Sequence, residues 1–280
     1  MEFRKLYLQG KKSFEENGFE CPDIEARAIL AQSLGTDPLE IYAHPERSVD
    51  PGRAQVFERL IQRRLSGEPL AYVTGRREFY LRNFSVTPDV LIPRPETETL
   101  AELAIETARR MNSPRVLDLG TGSGCLAITL YTETQNCEIF ASDVSAATLS
   151  VAARNAGAHC ARVRFVNSDL LGCFAKSSFD MIISNLPYVS GAEYAKLPRE
   201  IKHYEPLSAL LGGEDGLSCI KKAVDSAREV LREGGFLLLE IGSGQAKDVE
   251  RLIGKNGFSD ISFRNDTSGI KRVVKATWRK

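Results

Sequence analysis

Residues 118–124, DLGTGSG, close the apolar run RVLDLG with glycines at 120, 122 and 124. An apolar strand that enters a turn stripped of side chains and leaves as a helix is a βα unit, and it commits the chain to an α/β fold. Glycines at such a turn let backbone N–H groups come close to a cofactor, and the following helix points its positive end at the ligand's polar groups. The same residues would also suit a tight turn that only packs a helix on a sheet. A dinucleotide fingerprint reads GxGxxG, whereas this turn reads GxGxG with Asp118 two positions earlier, which favours S-adenosylmethionine over NAD. Cys125 and Leu126 follow where a phosphate-binding loop needs GK[ST], so a nucleoside triphosphate is disfavoured.

From Glu96 onward helical and extended patterns alternate, as in a parallel sheet covered on both faces. Strands are predicted at 115–119, 138–142, 162–166, 179–184 and 235–241. A last pair, 261–264 and 272–277, leaves no room for a helix between and reads as an antiparallel hairpin at the sheet edge. Upstream, residues 1–75 read as a small helical bundle. Asp23 after Pro22 is the expected cap of a helix carrying Ile24, Ala28, Leu30 and Leu34 and stopped by Gly35. Asp50 and Pro51 begin another, with Ala54, Phe57, Ile61 and Leu65 at helical spacing before Gly67. Residues 76–95 alternate aromatic and β-branched with polar positions and read as a β-hairpin connector. The expected domains are 1–75, 76–95 and 96–280.

A chain of 280 residues has room for this large α/β domain and the smaller one. Lys plus Arg equals Asp plus Glu at 37 each, so no net field draws a polyanion and direct nucleic-acid binding is not expected. The cationic stretches around Arg76 and at Lys271, Arg272, Lys275, Arg279 and Lys280 read as a solvated rim. The six cysteines, 21, 125, 137, 160, 173 and 219, lack CxxC or Cys/His spacing. No metal site or disulfide framework is indicated, and mostly buried, reduced thiols are expected. No apolar run approaches the roughly 20 residues that cross a bilayer. The start, MEFRKLYLQGKK, is charged where a signal peptide is apolar, so no membrane partner and a cytoplasmic location are expected.

In an open α/β sheet, ligands sit beyond the carboxyl ends of the strands. Three acidic residues end successive strands: Asp118, Asp143 and Asp169. Asp143, after the second strand, is positioned to accept both ribose hydroxyls. Asp169 could accept from an adenine amino group, with Leu170 as an apolar face for the ring. Helix capping is the alternative role for Asp143 and Asp169. The cofactor-binding set is then Asp118, Gly120, Thr121, Gly122, Ser123, Gly124, Asp143, Asp169, Leu170 and Asn185.

The fourth strand, FDMIISN, runs into Asn185, Leu186, Pro187 and Tyr188. Amide and exocyclic nitrogens are poor nucleophiles because their lone pairs are delocalised. An Asn side-chain oxygen and a backbone carbonyl can each accept an N–H from such an NH2 group and orient it toward a methyl donor, while a Tyr ring packs on the flat group. No strong base is required before transfer. An Asx-type turn would account for Asn and Pro alone, though not for their place beside the glycine turn. His44, His159 and His203 share no spacing and receive no catalytic role.

With these segments the chain resembles the peptide-chain release factor glutamine methyltransferases, whose tetrad is typically NPPY. The likeness spans nearly the whole length and includes LIPRPETE at 91–98 and YEPLSALLGGEDGL at 204–217. It implies a Rossmann-like methyltransferase sheet of seven strands, S-adenosyl-L-methionine as cofactor, and residues 1–75 as a substrate-recognition domain. It further implies action on the GGQ glutamine of class 1 release factors, at the side-chain amide nitrogen; a monomer is expected, though not fixed by the sequence. Leu186 replaces the first proline of the family tetrad. It keeps the carbonyl and loses the ring that fixes φ, so weaker preorganisation and the same reaction are expected. Arg94, between two prolines, is expected to pair with Glu96 or Glu98 at the domain junction; a contact with substrate is left open. An amino methyltransferase of adenine or guanine is the competing activity, since NPPY-type tetrads also serve flipped bases. A protein that holds the cofactor without turnover is a third reading.

Overall fold

The structure is a computed structural model and describes residues 1–279. The chain begins with helices α1 (Phe3–Glu16), α2 (Pro22–Leu34), α3 (Pro38–Ala43), α4 (Pro51–Leu65) and α5 (Leu70–Thr74), followed by the hairpin strands β1 (Arg76–Phe79) and β2 (Arg82–Ser85). Then come α6 (Glu98–Ala108), β3 (Arg115–Leu119), α7 (Cys125–Thr134), β4 (Glu138–Asp143), α8 (Ala146–Ala158), β5 (Val163–Asn167) and β6 (Phe179–Ser184). After α9 (Gly191–Lys196) and α10 (Arg199–Tyr204) the chain ends with α11 (Ser218–Val230), β7 (Leu231–Glu240), α12 (Ala246–Lys255), β8 (Phe258–Asn265) and β9 (Lys271–Trp278). Two units form: residues 1–76 with 198–204, and residues 77–197 with the stretch from 205 onward.

In the helical unit, α1 buries Phe3, Leu6, Gly10 and Phe14, a stripe at helical spacing. Gly10 is there because α4 crosses closely: a Cβ would stand 2.7 Å from Phe57 Cζ. Asp50 caps α4 as expected, accepting from the Gly52 and Arg53 N–H groups. Asp23 does not cap α2. Pro22, with no N–H and a preset φ, takes the first helical position, and the Asp23 carboxylate instead accepts from the Tyr7 hydroxyl and the Arg27 guanidinium. Arg64 is buried among partners, with Nε and Nη2 at 2.8 and 2.9 Å from the Glu25 carboxylate and Nη1 at 3.3 Å from Glu200 of α10.

The second unit is built on a seven-stranded sheet of order β5-β4-β3-β6-β7-β9-β8, parallel through β7 and antiparallel beyond it. The last strand, β9, lies between β7 and β8, so β8 forms the edge of the hairpin. Alternate residues serve opposite faces. Val116, Met181, Ile183 and Leu238 pack with Leu100, Ala104 and Leu126 on one side. Leu117, Ile182, Leu237 and Leu239 pack with Ile220, Val224 and Val249 on the other. Both faces are covered, which is why these strands read as continuous apolar runs.

The cysteines correct one expectation, because Cys125 and Cys137 are buried while Cys21, Cys160 and Cys173 are exposed. Cys21 sits at the start of α2, Cys160 follows α8 at a φ of 53°, and Cys173 lies in the turn after β5, all outside the packed faces. Three cations of these stretches are paired with carboxylates: Arg82 with Glu133 at 2.7 Å, Arg272 with Asp266 at 3.1 Å and Arg279 with Asp260 at 2.7 Å. Lys280, counted with them, lies outside the described residues. Among the described residues no helix is long and apolar enough to cross a membrane.

Candidate active site

Strand order reverses between β3 and β6, whose neighbours lie on opposite sides. Register places Leu119 beside Ser184 and Ser142, so the segments after β3, β4 and β6 leave the sheet at one level. They open a cavity of about 400 Å³, a volume suited to a small cofactor. Of the residues predicted for the site, 120–123, Asp143, Asp169, Leu170, Asn185, Leu186 and Pro187 line it, whereas Asp118, Gly124 and Tyr188 do not.

Four N–H groups of the glycine turn are already engaged. Gly120 N and Thr121 N donate to Ser142 O at 2.8 and 2.9 Å, Gly122 N to Asp143 Oδ2 at 3.2 Å, and Gly124 N to Thr121 O at 2.9 Å. What the turn offers a ligand is therefore shape more than donors. A Cβ at Gly122 would meet nothing within 4 Å, because the residue faces open space; one at Gly124 would stand 3.2 Å from Ala152 Cβ, where α7 and α8 pack. Asp118 works beneath the turn. It is fully buried, and its Oδ2 accepts from Thr121 Oγ1 at 2.6 Å and Ala127 N at 3.2 Å, tying the loop to the start of α7. Burial pushes its carboxyl up to about 7.

Asp143 lines the cavity with each oxygen anchored once, Oδ2 by Gly122 N and Oδ1 by Ser145 N at 3.0 Å. Burial raises its pKa, and those backbone bonds pull the other way. It is not the cap of α8, since Ser145 accepts from Thr148 N in that role. Asp169 is exposed to the cavity, and the residues after it form turns with no helix to cap. Leu170 holds a φ of 48°, a conformation that costs a side-chain-bearing residue strain and swings it into the cavity wall. Two inward carboxylates and a turn that is no phosphate cradle fit a cofactor carrying hydroxyls, amines and a cationic centre, without phosphate.

Asn185 donates Nδ2 to Thr97 Oγ1 at 3.0 Å, which leaves Oδ1 as the group it can offer a ligand. Leu186 is buried, its Cδ2 at 3.4 Å from where a Gly120 Cβ would be, so the leucine fills space against the glycine turn. The next residues are clamped: Gln245 Nε2 donates to Tyr188 O at 3.0 Å, and Val189 exchanges backbone bonds with Leu210 and Gly212. This explains the glycines of LLGGEDGL. A Cβ at Gly212 would stand 2.5 Å from Pro187 O, so the segment can lie on the tetrad only without side chains. Tyr188 donates its hydroxyl to Glu240 Oε1 at 3.1 Å, and burial together with this carboxylate pushes the phenol well above its usual range.

Sequence reasoning missed Thr97 and Glu240. Thr97 lies within LIPRPETE and Glu240 within the strand predicted at 235–241, but nothing in either segment announces that Thr97 meets Asn185 and Glu240 meets Tyr188. Arg94 was singled out with the wrong partner. It lines the cavity and pairs with Glu205 at 2.6 Å, while Glu98 accepts from Tyr80 N at 2.8 Å. Glu205 wins because its buried carboxylate also accepts from Ile92 N at 3.2 Å, on the same proline-stiffened loop.

Known proteins match this arrangement from end to end. Residues 5–75 match the PrmC N-terminal domain family and residues 97–201 the methyltransferase small domain family. A release factor glutamine methyltransferase of Koribacter versatilis is 39% identical over 98% of this chain and 98% of its own length. One from Neisseria gonorrhoeae is 40% identical over 93% of this chain and 95% of its own. A methyltransferase structure from Pyrococcus furiosus superimposes with a TM-score of 0.55 at 18% identity, over 78% of this chain and 98% of that one, a likeness of fold. On its sequence, its sheet and the cofactor cavity at its switch point, the chain belongs to the family of S-adenosylmethionine-dependent release factor glutamine methyltransferases.

Proposed function

We propose that this chain methylates the side-chain amide nitrogen of the GGQ glutamine in class 1 release factors. The observation that carries the reading is Asn185: its Nδ2 is engaged by Thr97, so its Oδ1 is available to a substrate N–H within the cavity that Asp143 and the glycine turn line. Bound S-adenosylmethionine supplies an electrophilic methyl on a sulfonium, whose departure needs no acid. Asp143 accepts the ribose hydroxyls, Asp169 and Leu170 meet the adenine, and the open wall at 120–123 accommodates the rest of the cofactor. Asn185 Oδ1 and the Leu186 carbonyl each accept one amide N–H, which holds the substrate nitrogen edge-on and favours the positive charge it gains; the N–C bond to the methyl would form as the S–C bond breaks to leave a neutral thioether, and the surplus N–H proton would then pass to water. Pro187 keeps the preceding residue extended, and Tyr188, outside the cavity lining with its hydroxyl on Glu240, supports the tetrad from behind.

Residues 1–75 recognise the release factor, and the protein works as a cytoplasmic monomer. Direct nucleic-acid methylation is disfavoured by the equal charge count of 37 and 37. The test is mass spectrometry of a folded release factor before and after incubation with the protein and cofactor, expecting one methyl on the GGQ glutamine. Parallel incubations with labelled cofactor and tRNA, rRNA or DNA complete it. Label in nucleic acid and none in the release factor would overturn the reading.

A further inference from the structure

S-adenosylmethionine carries one anionic group, the carboxylate at the end of its amino-acid chain, and the residues assigned to the cofactor so far offer it no positive charge. A carboxylate drawn into a cavity without a cation or donors to meet it costs far more than a neutral group. Two of the residues that line the cavity are cationic, Arg94 and Lys222. Arg94 stands at the Asn185 end: its carbonyl accepts from Thr97 N at 3.1 Å, and Thr97 Oγ1 takes Asn185 Nδ2 at 3.0 Å. Lys222 lies on α11, and among the described residues no hydrogen bond ties it to that end. Strand order gives the cofactor its direction. Asp169 follows β5, Asp143 ends β4, the glycine turn follows β3 and Asn185 follows β6, in the order in which those strands lie side by side. With adenine at Asp169 and ribose at Asp143, the sulfonium comes to the β3–β6 side. The amino-acid chain leaves the sulfur away from the ribose, so its carboxylate arrives on the side of Arg94 and not at the adenine end.

We infer that Arg94 is the cofactor's carboxylate-binding residue, presented by the buried Glu205. Arg94 Nη2 donates to Glu205 Oε1 at 2.6 Å, while Glu205 Oε2 accepts from Ile92 N at 3.2 Å on the same loop. Nε and Nη1 have no protein partner among the described residues, and the side chain is 28% exposed. The planar guanidinium is thus held on one side and keeps donors for a second carboxylate on the other, the geometry that Arg meets with two parallel hydrogen bonds. Glu205 offsets part of the charge, yet Arg94 lines the cavity and Glu205 does not, so a ligand there meets the cation first. Pro93 and Pro95 restrict the backbone on either side of it. The inference rests on the proposed function in one respect, the aim of the methyl at Asn185. Three points then fix the cofactor: ribose at Asp143, methyl at Asn185, carboxylate at Arg94.

The test is calorimetry of the full-length protein, without release factor, against S-adenosylmethionine and against its decarboxylated form, which keeps the sulfonium and the amine and lacks the carboxylate. Wild type should bind S-adenosylmethionine about 10- to 100-fold more tightly, the range for charge-assisted hydrogen bonds. This comparison needs no variant and so no refolding control. Arg94→Met should weaken S-adenosylmethionine by about the same factor and the decarboxylated form by less than about threefold, so that the preference disappears. Arg94→Lys, which keeps the charge and loses the fork, should retain a smaller preference. Lys222→Met should keep the wild-type preference. Equal affinity of wild type for the two ligands, a preference that survives in Arg94→Met, or one that is lost in Lys222→Met would each overturn the inference. Equal weakening of both ligands in Arg94→Met would also overturn it, since Arg94 would then act only through the fold. A wild type that shows the preference but leaves the release factor unmethylated would refute the substrate reading and uphold the carboxylate site.

Discussion

The Arg94 guanidinium and the Glu205 carboxylate, 111 residues apart in sequence, meet at 2.6 Å on the wall of the cofactor cavity. The Glu205 side chain is 1% exposed and also holds Ile92 N, so one carboxylate fixes two points of the LIPRPE loop. Removing it strands a partly buried cation and an amide. Glu205→Ala is expected to destabilise the fold by about 2–3 kcal/mol, below the range for fully buried pairs because Arg94 is 28% exposed. The double variant Arg94→Met/Glu205→Met should lose less than the two single changes added together. Urea unfolding of the four proteins measures this; strict additivity would mean the pair is not coupled.

Asp143→Ala should weaken cofactor binding by about 2 kcal/mol, the scale of hydrogen bonds to a charged group, or roughly 30-fold in Kd. The loss includes the anchor of Gly122 N, so Asp143→Asn, which retains an acceptor, should fall between. Calorimetry against the intact protein decides. Unchanged affinity in the alanine variant would place the ribose elsewhere.

The elements that sequence pattern made legible are those whose burial is periodic. The apolar runs of β3, β6 and β7 are covered on both faces, and the parallel order with its terminal hairpin is found as expected. Local chemistry was read well where one residue decides it, as at Asp50, and badly where two compete, as at Pro22 and Asp23. Each part of the site that stayed hidden depends on a contact distant in sequence. Thr97 and Asn185 are 88 residues apart, and Tyr188 and Glu240 are 52 apart. Asp118 was read as a cofactor contact because it ends a strand. Packing turned it under the loop, where Thr121 and Ala127 need its oxygen.

That burial has a pH signature. In the folded protein Asp118 holds its proton up to about pH 7, whereas the unfolded chain releases it near the ordinary 3.8. Folding takes up a proton in that interval, so this group's contribution to stability falls as pH rises from about 4 to 7 and is level above. The slope is at most about 1.4 kcal/mol per pH unit. Asp118→Asn, neutral and isosteric, should lose that slope when urea unfolding is compared with wild type across the same interval. Parallel curves for the two proteins would mean that Asp118 is ionised in the fold throughout.

Asn185 bears the heaviest expectation. Its Oδ1 is proposed to act on the nitrogen as charge develops there, so its removal should be felt in the transition state far more than in the ground state. Asn185→Ala is expected to lower kcat at least about 10³-fold, comparable to loss of one preorganised group at a developing charge. Cofactor Kd should change by less than about threefold, since Asp143 and the 120–123 wall remain. Asn185→Asp keeps two acceptors and introduces a negative charge beside Thr97 Oγ1. Single-turnover kinetics with bound cofactor separate binding from transfer. A transfer rate within tenfold of wild type in the alanine variant would remove the tetrad from the mechanism and leave the methyl acceptor to be oriented by other groups.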